Sequence, residues 1–153
     1  MKKIIATAET VERVQKIYNR VGIRGGYITT ISSLERDLYL LIENDNCEYV
    51  SALIGHFTRV GNDACYDPVF HLMMDTKQGK IKEIEIKKYY AQNLMGTTEI
   101  YPDGRVYYNG AETEERKDLV EFFDDFTYDI VETLTYLDED STVYKYEKAT
   151  YED

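Results

Sequence analysis

Residues 113–137 read TEERKDLVEFFDDFTYDIVETLTYL and form the longest segment whose apolar and acidic side chains separate onto two faces. Intervals of three and four residues separate the apolar positions, and intervals of three, four and seven separate the acidic ones, which is typical of an amphipathic helix. At about 100° per residue the two sets project on opposite sides. We therefore predict a long C-terminal helix here. Its apolar face comprises Leu119, Phe123, Phe126, Ile130, Leu134 and Leu137, and its acidic face comprises Asp118, Glu121, Asp125 and Glu132.

A second helix is predicted over residues 8–21, AETVERVQKIYNRV, from the spacing of Val11, Val14 and Ile17. Thr7 or Glu9 lies near its start, and a glycine follows it, as is common at helix ends.

Between the two helices the apolar period changes to two, which indicates β-strands. Turn residues divide the strands, including DTKQGK at 75–80 and PDG at 102–104. We expect a single α+β domain over residues 1–153, in which the two helices pack on a meandering antiparallel sheet of five to seven strands. Candidate strands occupy residues 27–32, 38–42, 49–60, 69–74, 81–90, 97–101, 105–108 and 142–146.

Acidic charge is concentrated at the C-terminal end. Residues 1–110 contain 14 acidic and 14 basic side chains, whereas residues 111–153 contain 15 acidic and 4 basic ones, a net of −11. Such a field repels nucleic acid and anionic membranes and attracts basic partners over roughly 8–10 Å in physiological salt. Direct nucleic-acid binding is therefore disfavoured, although Lys80, Lys82, Lys87 and Lys88 form one local basic patch.

Targeting signals and catalytic motifs are not evident in the sequence. No apolar signal-peptide region opens the chain, no run of 18 apolar residues would span a membrane, and Cys47 and Cys65 are the only cysteines. We expect a cytoplasmic protein in which free thiols are favoured over a disulfide, although the sequence leaves that pairing open.

The residue types that usually carry catalysis do not form a recognisable set. His56 and His71 have no HExxH or CxxC spacing around them, the serines lie in no GxSxG turn, and residues 22–26 lack the GK[ST] ending of a phosphate loop. We expect a non-enzymatic protein without catalytic residues, metal or cofactor.

The acidic helix face is the sharpest remaining feature. An amphipathic helix usually solvates its outer face with both charge signs, because oppositely charged neighbours stabilise it. Here the compensating lysines are missing, so a basic partner would relieve the repulsion. We predict a partner-binding set of Asp118, Glu121, Asp125, Glu132, Asp138, Glu139 and Asp140.

One sequence pattern within residues 38–102 suggests a family. It consists of Gly61, Asn62 and Asp63 in a turn, then Tyr66-Asp67-Pro68 before a hydrophobic strand, and Tyr89-Tyr90-Ala91-Gln92 before Gly96. This pattern resembles a family of small uncharacterised bacterial and phage-borne domains, which implies an α+β fold and a mobile-element setting. In size and acidity the chain is similar to phage anti-restriction and anti-CRISPR inhibitors.

These observations favour a small acidic mobile-element protein that binds a basic surface of a host nucleic-acid-processing protein and inhibits it, as anti-CRISPR or anti-restriction proteins do. DNA mimicry would need more than one helical stripe, because duplex charges recur every ~1.7 Å whereas stripe charges recur about every 5 Å. Two alternatives remain open. One is a small-ligand-binding protein or enzyme with a pocket between sheet and helix around His56 or His71, and the other is a structural homo-oligomer, such as a homodimer, built through tyrosine-rich strands.

Overall fold

A computed structural model describes the backbone of residues 3–21, 25–30, 37–46, 49–60, 63–93, 95–139 and 144–147, and the side chains of 3–19, 50–56, 67–93 and 95–132. Within these ranges the chain forms two helices and nine strands. The helices are α1 (Ala8–Val21) and α2 (Leu119–Glu139); the strands are β1 (Gly25–Thr30), β2 (Asp37–Asn46), β3 (Tyr49–Val60), β4 (Asp63–Lys77), β5 (Lys80–Asn93), β6 (Gly96–Ile100), β7 (Arg105–Tyr108), β8 (Ala111–Arg116) and β9 (Tyr144–Glu147).

The strands form one antiparallel sheet in the order β8-β7-β6-β5-β4-β3-β2-β1-β9. Strands β1 to β8 are each paired with their neighbour in sequence, and β9 returns to pair with β1. Short connections between sequential strands favour such a meander. The predicted α+β class with two packed helices is therefore confirmed. The described part of the chain contains nine strands, where the sequence predicted five to seven.

The start of the C-terminal helix differs from the prediction. Residues 113–116 were expected in the helix, but they belong to β8, which pairs with β7 through Tyr108 and Ala111 at one end and through Arg105 and Arg116 at the other. Backbone pairing with β7 therefore overrides the helical preference of TEER, whose Glu and Arg residues are good helix formers. The end of the helix is also later than expected, because α2 includes Asp138 and Glu139.

The N-terminal helix agrees with its predicted bounds. The hydroxyl of Thr7 accepts a hydrogen bond from the backbone N–H of Thr10 at 3.2 Å, so Thr7 caps α1. Just before it, Ile5 forms an antiparallel bridge with Glu85. This short segment lies beside the first half of β5 and fixes where α1 begins.

One face of the sheet and both helices enclose the core. Side chains at alternate positions of β3 and β4 point towards the helices, and α1 and α2 also pack against each other. The largest completely buried side chains are Ile17 of α1, Phe123 of α2, Ile54, Phe70, Met74, Ile84 and Ile86.

A β-bulge in β5 changes which side chains face the core. His71 pairs with Lys88, but Leu72 pairs with Ile86, so Lys87 has no counterpart in β4. An extra residue on one strand inverts the facing of every later position. Strict alternation from Ile86 would place Tyr90 inward, but it lies on the outer face, and Tyr89 packs inward at 5.2 Å from Phe70, centroid to centroid.

Gly55 allows a close approach between the backbones of β3 and β4. A Cβ atom added there would lie 2.1 Å from the carbonyl oxygen of Pro68 and 2.7 Å from the Cα of Val69. Backbone atoms cannot move aside as the end of a flexible side chain can. The register of β3 against β4 shifts between Gly55 and Phe57, which indicates a β-bulge at this glycine.

We expect Gly55→Ala to lower the free energy of unfolding by about 1–3 kcal/mol, because the new methyl group must displace the β4 backbone. Urea unfolding monitored by circular dichroism measures this loss. Ser51→Ala, on the same strand and half-buried, is the control and should change stability by less than about 0.5 kcal/mol. Equal stability of Gly55→Ala and the wild type would contradict the close packing described here.

Candidate partner-binding surface

Asp118 determines where α2 begins. Its Oδ1 accepts hydrogen bonds from the backbone N–H groups of Val120 at 2.9 Å and Glu121 at 3.3 Å. These bonds satisfy donors that a helix N-terminus leaves without intrahelical partners. Asp118, predicted as a contact residue, is thus exposed but also has a structural role as the helix cap.

Asp124 connects α2 to α1. Its Oδ1 accepts a hydrogen bond from the hydroxyl of Thr10 at 2.7 Å and forms an ion pair with Arg13 at 2.8 Å. The hydrogen bond from Thr10, followed by the hydrogen bond and charge of Arg13, holds the pKa of the Asp124 carboxyl below its usual value, although partial burial opposes them. This carboxylate therefore holds α2 against α1.

Three other acidic side chains of α2 form an exposed strip along the helix, here called the acidic stripe and comprising Glu121, Asp125 and Glu132. All three are exposed, and among the described side chains none of them makes an ion pair. The sequence of α2 contains no lysine, arginine or histidine. The stripe is thus a continuous negative surface without internal compensation.

The C-terminal members of the predicted contact set lie at the end of this helix. Asp138 and Glu139 occupy the last turn of α2, and Asp140 lies outside the described residues. Negative charge at a helix C-terminus opposes the helix dipole. The helix dipole therefore does not favour acids at positions 138 and 139, whereas it does favour Glu121 in the first turn of α2.

A cleft of about 220 Å³ lies beside the acidic stripe, between α2 and the sheet. Phe70 is buried within its lining, while Tyr89, Phe122 and Phe126 are half-buried and Asp125 is exposed. The cleft and the stripe therefore share Asp125. The full lining comprises Pro68, Phe70, Tyr89, Phe122, Asp125 and Phe126.

The aromatic rings of the cleft are held by contacts with one another. Tyr89 is nearly perpendicular to Phe70 and to Phe122, with interplanar angles of 73° and 78°. Phe70 also contacts Phe126, with a centroid separation of 5.1 Å. Such edge-to-face and tilted pairs are favourable arrangements of aromatic side chains, so the rings that line the cleft stabilise one another's positions.

The two histidines lie on opposite faces of the sheet. His56 is on the helix side, where its ring lies edge-on to Phe126 at 5.4 Å. His71 alternates with the inward-facing Phe70 and Leu72 and so lies on the outer face. The alternative function predicted a pocket around one of these histidines. The cleft between sheet and helix includes Phe126, which contacts His56, but neither histidine lines it.

Tyrosines and charged side chains cover the outer face of the sheet. Lys88 forms an ion pair with Glu99, and its Nζ lies 5.4 Å from the ring centroid of Tyr101. Arg105 lies 5.8 Å from the ring centroids of Tyr101 and Tyr107. These tyrosines occupy a sheet surface, and each contacts a cation of the same chain.

The basic patch suggested by the sequence is partly neutralised in the fold. Lys87 forms an ion pair with Glu85 at 3.1 Å, and Lys88 pairs with Glu99. The pairing reduces the positive field that would attract a phosphate backbone.

In the described ranges, no cluster of three or more histidine, cysteine, aspartate or glutamate side chains is arranged to hold a metal ion. Neither α1 nor α2, as far as each is described, is long and apolar enough to cross a bilayer. Cys47 and the side chain of Cys65 lie outside the described parts, so their pairing stays an open question.

Comparison with protein-family models, with curated proteins and with solved structures found no match for this chain. The resemblance to small phage-borne domains stays a prediction.

Sequence reasoning identified the acidic residues of α2 but missed the cleft and the separate role of Asp124. The cleft depends on Tyr89 facing inward, which follows from the bulge at Lys87. The pairing of Asp124 with Arg13 joins residues far apart in the chain, and no local pattern indicates it.

Asp124 and Asp125 are adjacent acids with different surroundings, and we expect their amide variants to differ. Asp124→Asn should lower the free energy of unfolding by about 1 kcal/mol, because it weakens the bonds to Thr10 and Arg13. Asp125→Asn should change it by less than about 0.5 kcal/mol. Denaturant unfolding at neutral pH measures both values.

The Asp124 contribution should also depend on pH. Its folded-state pKa lies below the unfolded value, so the added stability is present at neutral pH and is lost as pH falls below about 4, through the folded pKa. The difference between wild type and Asp124→Asn should therefore shrink on acidification. A difference that grows at low pH would contradict this assignment.

Proposed function

We propose that this protein is a cytoplasmic, non-enzymatic inhibitor that binds a basic surface of a host nucleic-acid-processing protein through the acidic stripe. The observation that carries the proposal is the exposed face of α2, where Glu121, Asp125 and Glu132 make no ion pair among the described side chains. Unlike Asp118 and Asp124, these acids have no evident structural partner.

Electrostatics supports a protein partner with basic character. Uncompensated like charges repel one another and destabilise the fold that carries them, and a basic partner removes that repulsion on binding. A negative surface also accelerates encounter with a positive one. The partner surfaces richest in lysine and arginine are those that bind phosphate backbones, which is why a nucleic-acid-binding protein is the favoured target.

Inhibition would follow from occupation of that basic site, without close imitation of DNA. From Glu121 to Glu132 the helix rises only about 17 Å, and the stripe places three carboxylates on that length. A duplex carries roughly three times as many charges over the same distance. The protein would therefore compete by covering the site, not by reproducing the phosphate spacing. The anti-CRISPR or anti-restriction role, carried on a mobile element, is the setting proposed for this activity.

Charge reversal within the stripe tests the proposal. Glu121→Lys with Glu132→Lys forms the stripe variant, which leaves the Asp118 cap and the cleft intact. Glu12→Lys with Glu83→Lys is the control, since both residues are exposed and belong to α1 and β5, outside the stripe, and the net charge changes by the same amount. Each protein is immobilised and exposed to bacterial lysate, and captured proteins are identified by mass spectrometry.

We expect the wild type and the control to retain the same nucleic-acid-binding protein, and the stripe variant to lose it. Capture should fall as salt rises from about 50 to 200 mM, because salt screens the attraction between the two surfaces. It should also fall when duplex DNA is added, because DNA competes for the basic surface. The purified target should lose its activity on nucleic acid when the wild type or the control is added, and should keep it when the stripe variant is added. Equal capture by all three proteins would disprove a role for the stripe.

A further inference from the structure

The cleft beside the acidic stripe combines aromatic rings with one carboxylate. Phe70, Tyr89, Phe122 and Phe126 supply four rings, and Asp125 supplies the charge. Among its lining residues there is no cation. The site is therefore apolar in its body and negative at its exposed edge.

This combination selects ligands by charge as well as by hydrophobicity. The face of an aromatic ring attracts a cation within about 6 Å of its centroid, and the attraction increases when water is excluded. A neutral apolar group would fill the cleft but leave Asp125 partly desolvated without a partner. An anion would be repelled by the same carboxylate. An ammonium group with an apolar stem satisfies both the rings and the acid.

A lysine of the chain itself already shows this attraction on one of the rings. Nζ of Lys117 lies 5.8 Å from the ring centroid of Phe122. Lys117 precedes α2 and is not part of the cleft lining. One ring of the cleft thus has a cation within cation–π distance in the folded protein.

The volume indicates a single side chain. Sites for drug-sized ligands and cofactors usually measure about 300–1,000 Å³, and this cleft has about 220 Å³. We propose that the cleft binds one lysine side chain of the basic partner, with its Nε-methylated forms favoured because methylation keeps the charge and eases its transfer from water to aromatic surroundings. This inference rests on the proposed function, since the partner supplies the lysine.

Small probes test the cleft without the partner. Nα-acetyl-lysine methylamide, its Nε-trimethyl counterpart and the neutral isostere with carbon in place of the ammonium nitrogen are titrated into the full chain. Aromatic and amide NMR shifts report the affinity and the location. Asp125→Asn and Phe122→Leu alter the cleft, and Glu12→Gln is the control that removes one exposed negative charge from α1.

We expect shifts centred on Phe122, Phe126 and Tyr89, with the trimethylated probe binding more tightly than unmodified lysine. The neutral isostere should bind about tenfold more weakly, as should the trimethylated probe to Asp125→Asn or Phe122→Leu. Glu12→Gln should alter the affinity less than twofold. Binding of the neutral isostere with equal affinity, shifts centred elsewhere, or no binding would overturn the proposal.

The two proposals can fail separately. If the probes fail to bind while the stripe variant still loses its partner, the lysine site is wrong and the proposed function stands. If the probes bind as expected while the stripe variant captures the partner normally, the proposed function and the partner origin of the lysine are both wrong.

Discussion

Phe70 of β4 packs against Phe123 and Phe126 of α2, with ring centroids 4.8 and 5.1 Å apart, and this contact fixes the rotation of the helix on the sheet. Phe123 is completely buried, so turning α2 would expose a large apolar side chain at a cost of about 2–3 kcal/mol. Because the rotation is fixed, the acidic stripe must face solvent. Phe122 and Phe126 are placed at the edge of the contact, where the cleft opens.

The acidic residues of α2 differ in what surrounds them, although they look equivalent in the sequence. Asp118 caps the helix and Asp124 binds Thr10 and Arg13 of α1. Glu121, Asp125 and Glu132 have no such partners among the described side chains. The first two acids stabilise the fold through specific contacts, whereas the acids of the stripe make no such contacts and repel one another, and this asymmetry is why the stripe is the favoured surface for a partner.

The stripe and the cleft would act over different distances. Charge on the stripe extends over roughly a Debye length and would steer a basic surface towards α2. The aromatic cleft acts only in contact, where a buried anchor in a small pocket provides much of the affinity of an interface. Asp125 belongs to both the stripe and the cleft, so it would help to attract the partner and then to bind the side chain that enters the cleft.

The sequence by itself determined the two helices, the period-two strands between them and the acidic character of one face of α2, because these depend on local spacing. It could not determine that residues 113–116 join the sheet, since pairing of β8 with β7 competes with helix formation only in the folded chain. Nor could it place Tyr89 inward, because the bulge at Lys87 is defined by the register of β4 against β5. The contacts of Asp124 and the cleft likewise depend on residues far apart in the chain. Tertiary packing therefore decided which acids are structural and which remain exposed beside an aromatic cleft.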